Sequence, residues 1–249
     1  MAAILSSVIC IFMISSLILL LGLPNNNNNI SIPRGHNYNI NQINYHHMEL
    51  ILTWVPTFCK MKQCLPSAPI DFTLHGLWPA DNAGVSLTYC PPPSPPIDLT
   101  PLFNTLRADL ELIWPTVTPF MSSQDLWEHE YKKHGLCAFP LLSAQQYFRS
   151  AIQMTGNMDL LHFFSNKNIL PSDHTAYTRT QITGAAREAM GNQRFDIYIS
   201  CKHFNRTHDK LYEIHLCLDQ MVTNYMTCPQ SPLFRGCSPG KLILLPPSM

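Results

Sequence analysis

The sequence predicts a fold that combines β-strands with α-helices, and three observations lead to this expectation. Residues 195–201 and 211–218 alternate apolar and polar side chains, as strands with one buried face do. Residues 99–114 repeat apolar side chains at the spacing of one face of a helix. The chain has 249 residues, 46% of them hydrophobic, which suits one domain with a substantial core or two small ones.

The first 44 residues are expected to precede the folded domain. Residues 1–23 carry no charge and are almost entirely apolar, which predicts a secretory signal peptide. The usual basic start is missing and the apolar run is long, so an uncleaved membrane anchor is the alternative. Residues 24–44 include five successive asparagines and have no helical or strand period, which predicts a flexible extension. The domain would then occupy residues 45–249.

Two predicted strands open this domain. Residues 48–54 are rich in Leu, Ile and Trp and are interpreted as a buried strand. Residues 72–79 alternate at first and then reach Gly76 and Pro79, which are expected to end the strand. His75 would stand at that strand end, where its side chain can project into a cleft.

The middle of the chain is predicted to be mainly helical. Residues 99–114 carry an apolar stripe, interpreted as core, formed by Leu102, Leu106, Leu110 and Ile113. Further helices are predicted at 143–154, 160–164 and 180–190, and a last strand is predicted at 240–245.

Residues 127–137, WEHEYKKHGLC, concentrate chemically active side chains. His129, Glu130, Lys133 and His134 fall within six positions. In a helix, residues four apart are neighbours, so all four side chains would lie along one side of the same two turns.

The flanks of this segment carry signals for both ends of a helix. Ser122 followed by Asp125 predicts the start, and Gly135 directly after His134 predicts the end. The combination of imidazole, carboxylate and ammonium suggests general acid–base chemistry on an anionic substrate.

Two other interpretations of the segment are weighed. A zinc-protease helix needs two histidines four residues apart, whereas His129 and His134 are five apart with two lysines between them. A solvated, charged helix face is the common outcome for such a run. His75 in FTLHGLWP favours catalysis, because two histidines on separate elements can cleave RNA without a metal: one takes the 2′-hydroxyl proton and the other protonates the departing 5′-oxygen.

FTLHGLWP and WEHEYKKHGLC together resemble the two active-site segments of the T2-family ribonucleases. They occur in that family's order, and the resemblance extends over nearly all of residues 45–240. The roles that it implies are general acid for His75, general base for His134, transition-state stabilisation for Glu130 and Lys133, phosphate binding for His129 and base contact for Trp78. Tyr131 stands where the family usually has Trp.

The resemblance also implies a fold and a reaction. The expected fold is α+β, a single domain with an antiparallel sheet flanked by helices. The expected protein is a secreted, extracellular monomer, or one targeted to a vacuole, with no stable membrane association. It would cleave single-stranded RNA through a 2′,3′-cyclic phosphate, with no metal and no cofactor.

The cysteine count agrees with an oxidising compartment. Of nine cysteines, Cys10 falls in the predicted signal peptide, and the even set of eight predicts four disulfides. Spacing alone leaves 105 pairings open. The resemblance suggests the pairs Cys59–Cys64, Cys90–Cys137, Cys201–Cys237 and Cys217–Cys228.

Two smaller features are noted for the surface. Asn29 and Asn205 each begin an Asn-x-Ser/Thr acceptor for glycosylation, and Asn205 is the favoured one because it is predicted to lie in a polar turn between two strands. His203, His208 and His215 near the last predicted strands leave a metal cluster open, with structural or solvated histidines as the favoured alternative.

The charge balance bears on partners. The chain has 16 basic and 16 acidic residues, so its formal net charge is zero and strong duplex binding through a basic surface is not expected. Its 11 histidines would make it cationic in a mildly acidic compartment, where we expect tighter binding of RNA.

Within the family, three features resemble the pistil self-incompatibility ribonucleases: Phe58 with Cys59, the C-x4-C spacing, and the CPQS sequence at 228–231. This implies that the chain arrests self pollen and meets pollen F-box proteins as partners. Those ribonucleases are usually basic, so a plant ribonuclease for phosphate scavenging or defence is the alternative. A catalytically silent storage or RNA-binding relative is a third hypothesis, although His75 and His134 are both present.

Overall fold

The computed structural model describes residues 45–93, 96–156, 158–191, 194–231 and 236–248. The predicted signal peptide at 1–23, the predicted extension at 24–44 and the acceptor Asn29 lie outside these ranges. No helix among the described residues is both long and apolar enough to cross a membrane.

Strands and helices share the domain in an interleaved order. The strands are β1 His47–Trp54, β2 Phe72–Ala80, β3 Ser172–Tyr177, β4 Tyr198–His203, β5 His208–Leu218, β6 Tyr225–Met226 and β7 Leu242–Leu245. The α-helices are α1 Val55–Cys59, α2 Thr100–Ile113, α3 Ser123–Lys133, α4 Ala144–Gly156, α5 Leu160–Ser165 and α6 Arg179–Ala189, and a short 3-10 turn, Gly135–Ala138, follows α3. All the predicted helices and strands are present, and α1, β3 and β6 are elements that were not predicted.

One seven-stranded sheet organises the domain. Its main path is β2-β1-β5-β7-β3, and β4 and β6 also pair with β5. β1 pairs antiparallel with both β2 and β5, so it forms the centre of the part of the sheet that carries His75. The predicted α+β fold is confirmed, and the parallel pairing of β5 with β7 is a detail that the prediction lacked.

The course of β2 corrects the prediction for His75. Gly76 and Pro79 do not end the strand, because β2 continues through both to Ala80. Pro79 is tolerated because β2 lies at an edge of the sheet, where a missing N–H is harmless. The pairing of β2 with β1 shifts between Ile51–Gly76 and Leu52–Leu74. His75 is the extra residue of this β-bulge, a feature that re-aims a side chain.

Helix α2 packs its predicted stripe against the core with one change. Leu106, Leu110 and Ile113 are buried as expected. Phe103, rather than Leu102, begins the buried stripe, while Leu102 packs at its border. A start at 103 gives spacings of three, four and three residues, which keep the stripe on one helical face.

The four predicted disulfides are confirmed. They join Cys59 to Cys64, Cys90 to Cys137, Cys201 to Cys237 and Cys217 to Cys228. The second of them, Cys90–Cys137, joins the chain after β2 to the turn that follows α3. The predicted catalytic residues lie on β2, on α3 and at the end of α3.

Candidate active site

Helix α3 is fixed at both ends, which sets the direction of its polar side chains. Ser122 and Asp125 form a reciprocal capping box at its start, as predicted. Trp127 is fully buried, and its Nε1–H donates to the Trp114 carbonyl oxygen at 2.8 Å. The helix ends at Lys133 with His134 as the cap.

Gly135 ends the helix for a reason other than the predicted one. It is not among the described residues with a left-handed backbone, and the chain continues directly into the 3-10 turn. A Cβ at this position would collide with the ring of Tyr131. Glycine is therefore required by close packing.

Trp78 is the contact point of the site, because its indole touches groups from both active-site segments. Its ring stacks on His134 at 4.2 Å between centroids and meets His75 edge to face at 4.8 Å. Its Nε1–H donates to Glu130 Oε2 at 2.8 Å, and Lys133 Nζ lies 5.8 Å from the ring centroid. One aromatic side chain thus brings together four of the predicted site residues.

Gly76 makes this arrangement possible. A Cβ at this position would collide with Trp78 Nε1 and lie 2.6 Å from Glu130 Oε2. A larger residue would therefore separate the indole from the carboxylate.

His134 is buried, and its ring is held by the backbone. Nδ1 lies 2.9 Å from the Leu87 carbonyl oxygen, which can only accept, so Nδ1 carries the proton. Nε2 is buried and, within the described residues, has no hydrogen-bond partner. Burial, with the nearby positive charges of Lys133, His75 and His129, lowers the pKa of His134 to about 4, although the bond to Leu87 acts in the opposite direction. At neutral pH the ring is uncharged, and Nε2 presents a lone pair.

His75 is held in the same way but by a charged partner. Its Nδ1 lies 2.7 Å from Oε1 of Glu213 on β5. A carboxylate can only accept, so Nδ1 carries a proton. Nε2 is therefore the ring atom left to exchange a proton with a substrate. Trp114 Nε1–H also donates to the His75 carbonyl oxygen at 3.0 Å, which fixes the backbone of the bulge.

The two histidines therefore differ in the partner of Nδ1, a neutral carbonyl for His134 and a carboxylate for His75. The first arrangement suits a proton acceptor and the second a proton donor. Two imidazoles held by different partners can divide the roles of base and acid between them.

The remaining predicted residues of α3 occupy different depths. Glu130 and His134 are buried, whereas Lys133 is half-buried and His129 is exposed. These depths do not decide whether all four lie along one side of the helix, which stays a prediction. His129 is exposed but is close enough for its charge to lower the pKa of His134.

A largely apolar pocket of about 120 Å³ opens beside His75. Its lining includes Thr53, Thr73, Pro115, Val117, Met121 and Leu126. The pocket lies at the acid end of the site, and its walls suit a flat apolar group.

The histidines for which a metal cluster was left open have separate environments. His215 is buried and its Nδ1 lies 2.9 Å from Glu49 Oε2, whereas His203 is exposed and its Nδ1 lies 2.8 Å from Lys241 Nζ. Among the described residues, one group of three potential ligands assembles: His47, Glu49 and Cys217. The disulfide of Cys217 to Cys228 removes the thiolate that a metal would need.

Asn205 lies where it was predicted, in the exposed turn between β4 and β5. Its Oδ1 accepts hydrogen bonds from the backbone of Thr207 and of His208. Its glycosylation stays a prediction.

Two functional groups were missed from the sequence. The Leu87 carbonyl gives no signal, because any residue supplies a backbone oxygen. Glu213 could have been noticed, since it stands two residues before His215 on a strand that is otherwise mostly apolar and therefore shares its face.

Known proteins are similar to this chain in both fold and sequence. The Ribonuclease T2 family profile matches residues 45–228. Extracellular ribonuclease LE from Solanum lycopersicum is 32% identical over 200 residues, covering 78% of this chain and 83% of the relative. The crystal structure of RNase NT in complex with 5′-AMP matches with a TM-score of 0.68 and 27% identity, covering 81% of this chain and 98% of that one.

A structure from a self-incompatibility system is similar to a comparable degree. The Nicotiana alata SF11-RNase, described as associated with gametophytic self-incompatibility, matches with a TM-score of 0.65 and 26% identity. The match covers 81% of this chain and 99% of that one. The family match includes both segments that meet at Trp78, so this chain belongs to the Ribonuclease T2 family and is a T2 ribonuclease.

Proposed function

We propose that the protein is an endoribonuclease that cleaves single-stranded RNA by metal-independent transphosphorylation. His134 Nε2 takes the proton of a 2′-hydroxyl, and the 2′-oxygen forms a bond to phosphorus. The bond from phosphorus to the 5′-oxygen breaks, and His75 gives its Nε2 proton to that oxygen. The products are a 2′,3′-cyclic phosphate and a free 5′-hydroxyl, and water then hydrolyses the cyclic ester with the two histidines in exchanged roles.

The observation that carries this proposal is the different Nδ1 partner of each histidine. His134, bonded to a carbonyl, is neutral and can accept a proton, and His75, whose Nδ1 donates to the Glu213 carboxylate, is proposed as the donor. Lys133 brings positive charge to the same place, where it can stabilise the pentavalent phosphorane. Glu130 assists through the indole that it holds, and His129 is proposed to hold phosphate from the rim.

Single-stranded RNA is the substrate that the surroundings favour. An unpaired backbone can reach in-line geometry, and its bases can stack on aromatic or apolar surfaces. The apolar pocket beside His75 lies on the side of the departing 5′-oxygen, so we assign it to the base of the leaving nucleoside. The face of Trp78 opposite His134 is a second surface on which a base can rest.

The reaction is tested with RNA in the presence of EDTA at acid and neutral pH. We expect cleavage that resists EDTA, products that end in a 2′,3′-cyclic phosphate, and near-complete loss of activity in His134→Ala and in His75→Ala. General acid–base catalysis contributes about 10²- to 10⁴-fold, so each loss should be of that size. A folded wild type that does not cleave RNA, or cleavage abolished by EDTA, would overturn the proposal.

We also propose that the protein is secreted as a monomer. The four disulfides are of the kind that form in oxidising compartments. Residues 1–23 have the composition of a signal peptide. Mass spectrometry of the secreted protein tests cleavage after this segment and a glycan on Asn205, and light scattering tests the monomer.

For the biological role we propose the pistil ribonuclease of gametophytic self-incompatibility, with pollen F-box proteins as partners. The sequence features at 58–59 and 228–231 support it, as does the likeness to SF11-RNase. The neutral charge and the likeness to an extracellular ribonuclease support the alternative, a ribonuclease for phosphate scavenging or defence. Style-restricted expression with high allelic diversity would favour the first role, and induction in leaves by phosphate starvation or wounding would favour the second.

A further inference from the structure

A row of alternating histidine and glutamate side chains leads away from His75 through the sheet. His75 Nδ1 lies 2.7 Å from Glu213 Oε1, and Glu213 Oε2 lies 3.6 Å from His215 Nε2. His215 Nδ1 lies 2.9 Å from Glu49 Oε2, and Glu49 Oε1 lies 3.4 Å from His47 Nε2. The row joins the proposed general acid to two carboxylates and two further imidazoles.

Strand pairing puts the whole row on one face of the sheet. Residues two apart on a strand point to the same side, which aligns Glu213 with His215 on β5 and Glu49 with His47 on β1. β1 lies between β2 and β5, and the bulge in β2 lets His75 reach Glu213 across it. The row therefore depends on three strands being in register.

Charge is buried along this row. The side chains of His47, Glu49, Glu213 and His215 are at most 11% exposed, whereas that of His75 is 32% exposed. Of the five residues, His75 is the one that meets solvent and substrate. Burying ionised groups costs free energy unless they are paired. The presence of this buried row therefore calls for a functional explanation.

Three members of the row, Glu49, Glu213 and His215, are charged at neutral pH. Burial raises the pKa of Glu213 and of Glu49, but attraction to the neighbouring histidines outweighs it and lowers both pKa values. Glu213 Oε2 also accepts a hydrogen bond from Ser200 Oγ at 3.2 Å. Burial lowers the pKa of His215, but the negative charges of Glu213 and Glu49 beside it outweigh burial and raise that pKa to about 9. A protonated His215 thus lies between two carboxylates and holds both in place.

We propose that Glu213 is a positioning residue for the general acid, and that His215, anchored by Glu49, fixes Glu213 in its turn. The carboxylate accepts a hydrogen bond from Nδ1–H of His75, so the proton that goes to the departing 5′-oxygen must leave from Nε2. The inference rests on the proposed role of His75 as the acid. It adds Glu213, which contacts His75 directly, and His215, which acts through Glu213. Neither residue belongs to the two sequence motifs.

Other titratable groups lie near His75 besides Glu213, and the test must separate their effects. Glu130, Lys133 and His134, from α3 and its cap, all contact the Trp78 side chain that His75 meets. A pH profile alone would mix all these groups. The leaving group of the substrate offers a sharper readout, because a good leaving group needs no proton from an acid.

The experiment compares two substrates that share one nucleoside: a dinucleotide with a 5′-oxygen leaving group, and the nucleoside 3′-(4-nitrophenyl phosphate). In Glu213→Gln we expect kcat for the dinucleotide to fall by about 10- to 100-fold with little change in KM. The nitrophenyl ester should be cleaved within about threefold of the wild-type rate, since nitrophenolate leaves unprotonated. Glu213→Asp, which keeps the charge, should recover part of the dinucleotide rate, and His215→Gln should show a smaller loss with the same pattern.

The ratio of the two rates does not depend on how much of a variant is folded, so a destabilised variant still gives an answer. Equal losses on both substrates would show that Glu213 is merely structural and would overturn the inference. His75→Ala serves as the reference: if its losses are also equal on both substrates, the assignment of His75 as the acid has failed instead. Glu188→Gln, which removes a surface carboxylate paired with Lys167 at 2.7 Å, is the matched control and should leave both rates unchanged.

Discussion

Trp78 and His134 lie face to face, with ring centroids 4.2 Å apart and planes 15° from parallel. The indole covers the imidazole and contributes to the burial that lowers the pKa of His134 to about 4. The stacking thus keeps the proposed base uncharged even in mild acid, where an ordinary histidine would already be protonated.

Replacing Trp78 should therefore change the pH at which His134, the proposed base, becomes protonated. In Trp78→Leu, water reaches His134, and its pKa should rise toward the ordinary value of about 6.5. The acid limb of the profile of kcat/KM against pH should move to higher pH. At pH 5 a complete shift would leave about 3% of the base neutral, an additional loss of about 30-fold relative to pH 8.

A matched variant separates this effect from general loss of an aromatic ring. Phe204→Leu removes an aromatic side chain that is 50% exposed in the turn between β4 and β5, and it should leave the profile unchanged. An acid limb that stays in place in Trp78→Leu, with activity reduced equally at every pH, would contradict the role assigned to the stacking.

Gly76→Ala should impair catalysis although it adds only one methyl group. The new Cβ collides with Trp78 Nε1 and crowds Glu130, so the indole must move away from the carboxylate. Displacements of about 1 Å in an active site can cost about 10²-fold in rate, and we expect a fall in kcat of about tenfold or more. Gly184→Ala on α6, where a Cβ meets no atom within 4 Å, is the control and should raise stability by about 1 kcal/mol without affecting kcat. Unchanged kcat in Gly76→Ala would refute the packing argument.

Much of the fold was predictable because its signals are local. The apolar stripe of α2 and the capping box of Ser122 and Asp125 depend only on neighbours along the chain. β3 was missed because its sequence, SDHTAY, lacks an apolar alternation, and it is a strand through its pairing with β7. β2 was predicted to end too early, because glycine and proline are tolerated at a bulge and at a sheet edge.

The residues of the candidate site likewise fall into those that local sequence predicts and those that it does not. His75 and His134 could be named from their segments, since both the residue types and the spacing are in the sequence. The groups that give them opposite roles could not, because Glu213 reaches His75 only through the register of three strands and Leu87 contributes a backbone oxygen. Sequence patterns can identify side chains that act directly on a substrate. They do not identify hydrogen-bond partners that only the tertiary structure brings next to those side chains.

The disulfide between Cys90 and Cys137 should affect activity as well as stability. In the segment before Cys90, the Leu87 carbonyl oxygen accepts a hydrogen bond from His134 Nδ1–H, and the Tyr89 N–H donates to the Lys133 carbonyl oxygen at 2.7 Å. The disulfide holds this segment against the end of α3, so it orients the proposed base. The disulfide between Cys201 and Cys237 joins β4 to the chain before β7, and neither of these segments carries a predicted catalytic residue.

We expect Cys137→Ser with Cys90→Ser to lower kcat more than Cys201→Ser with Cys237→Ser, compared at equal folded fraction. Both double variants should lose stability, by about 2–5 kcal/mol for a native disulfide. Folded fractions are taken from urea titrations and activities from initial rates of RNA cleavage. Equal loss of kcat in both variants would mean that the first disulfide only stabilises the fold.

His215 should make the fold less stable in alkali. Its pKa is raised to about 9 in the folded protein from about 6.5 in the unfolded chain, because Glu49 and Glu213 stabilise its charged form. The stabilisation is fully present below about pH 6.5 and is lost as pH rises through about 9, since the folded state binds the extra proton in that window. The free energy of unfolding should fall with a slope of at most about 1.4 kcal/mol per pH unit for this one proton.

The slope is measured by urea unfolding between pH 6 and pH 9.5 with the disulfides intact. His215→Gln cannot release this proton, so its free energy of unfolding should be lower overall but flatter across the window. His174→Gln removes an exposed histidine from β3 and should keep the wild-type slope. If wild type and His215→Gln lose stability with the same slope, then His215 is not protonated between its two carboxylates.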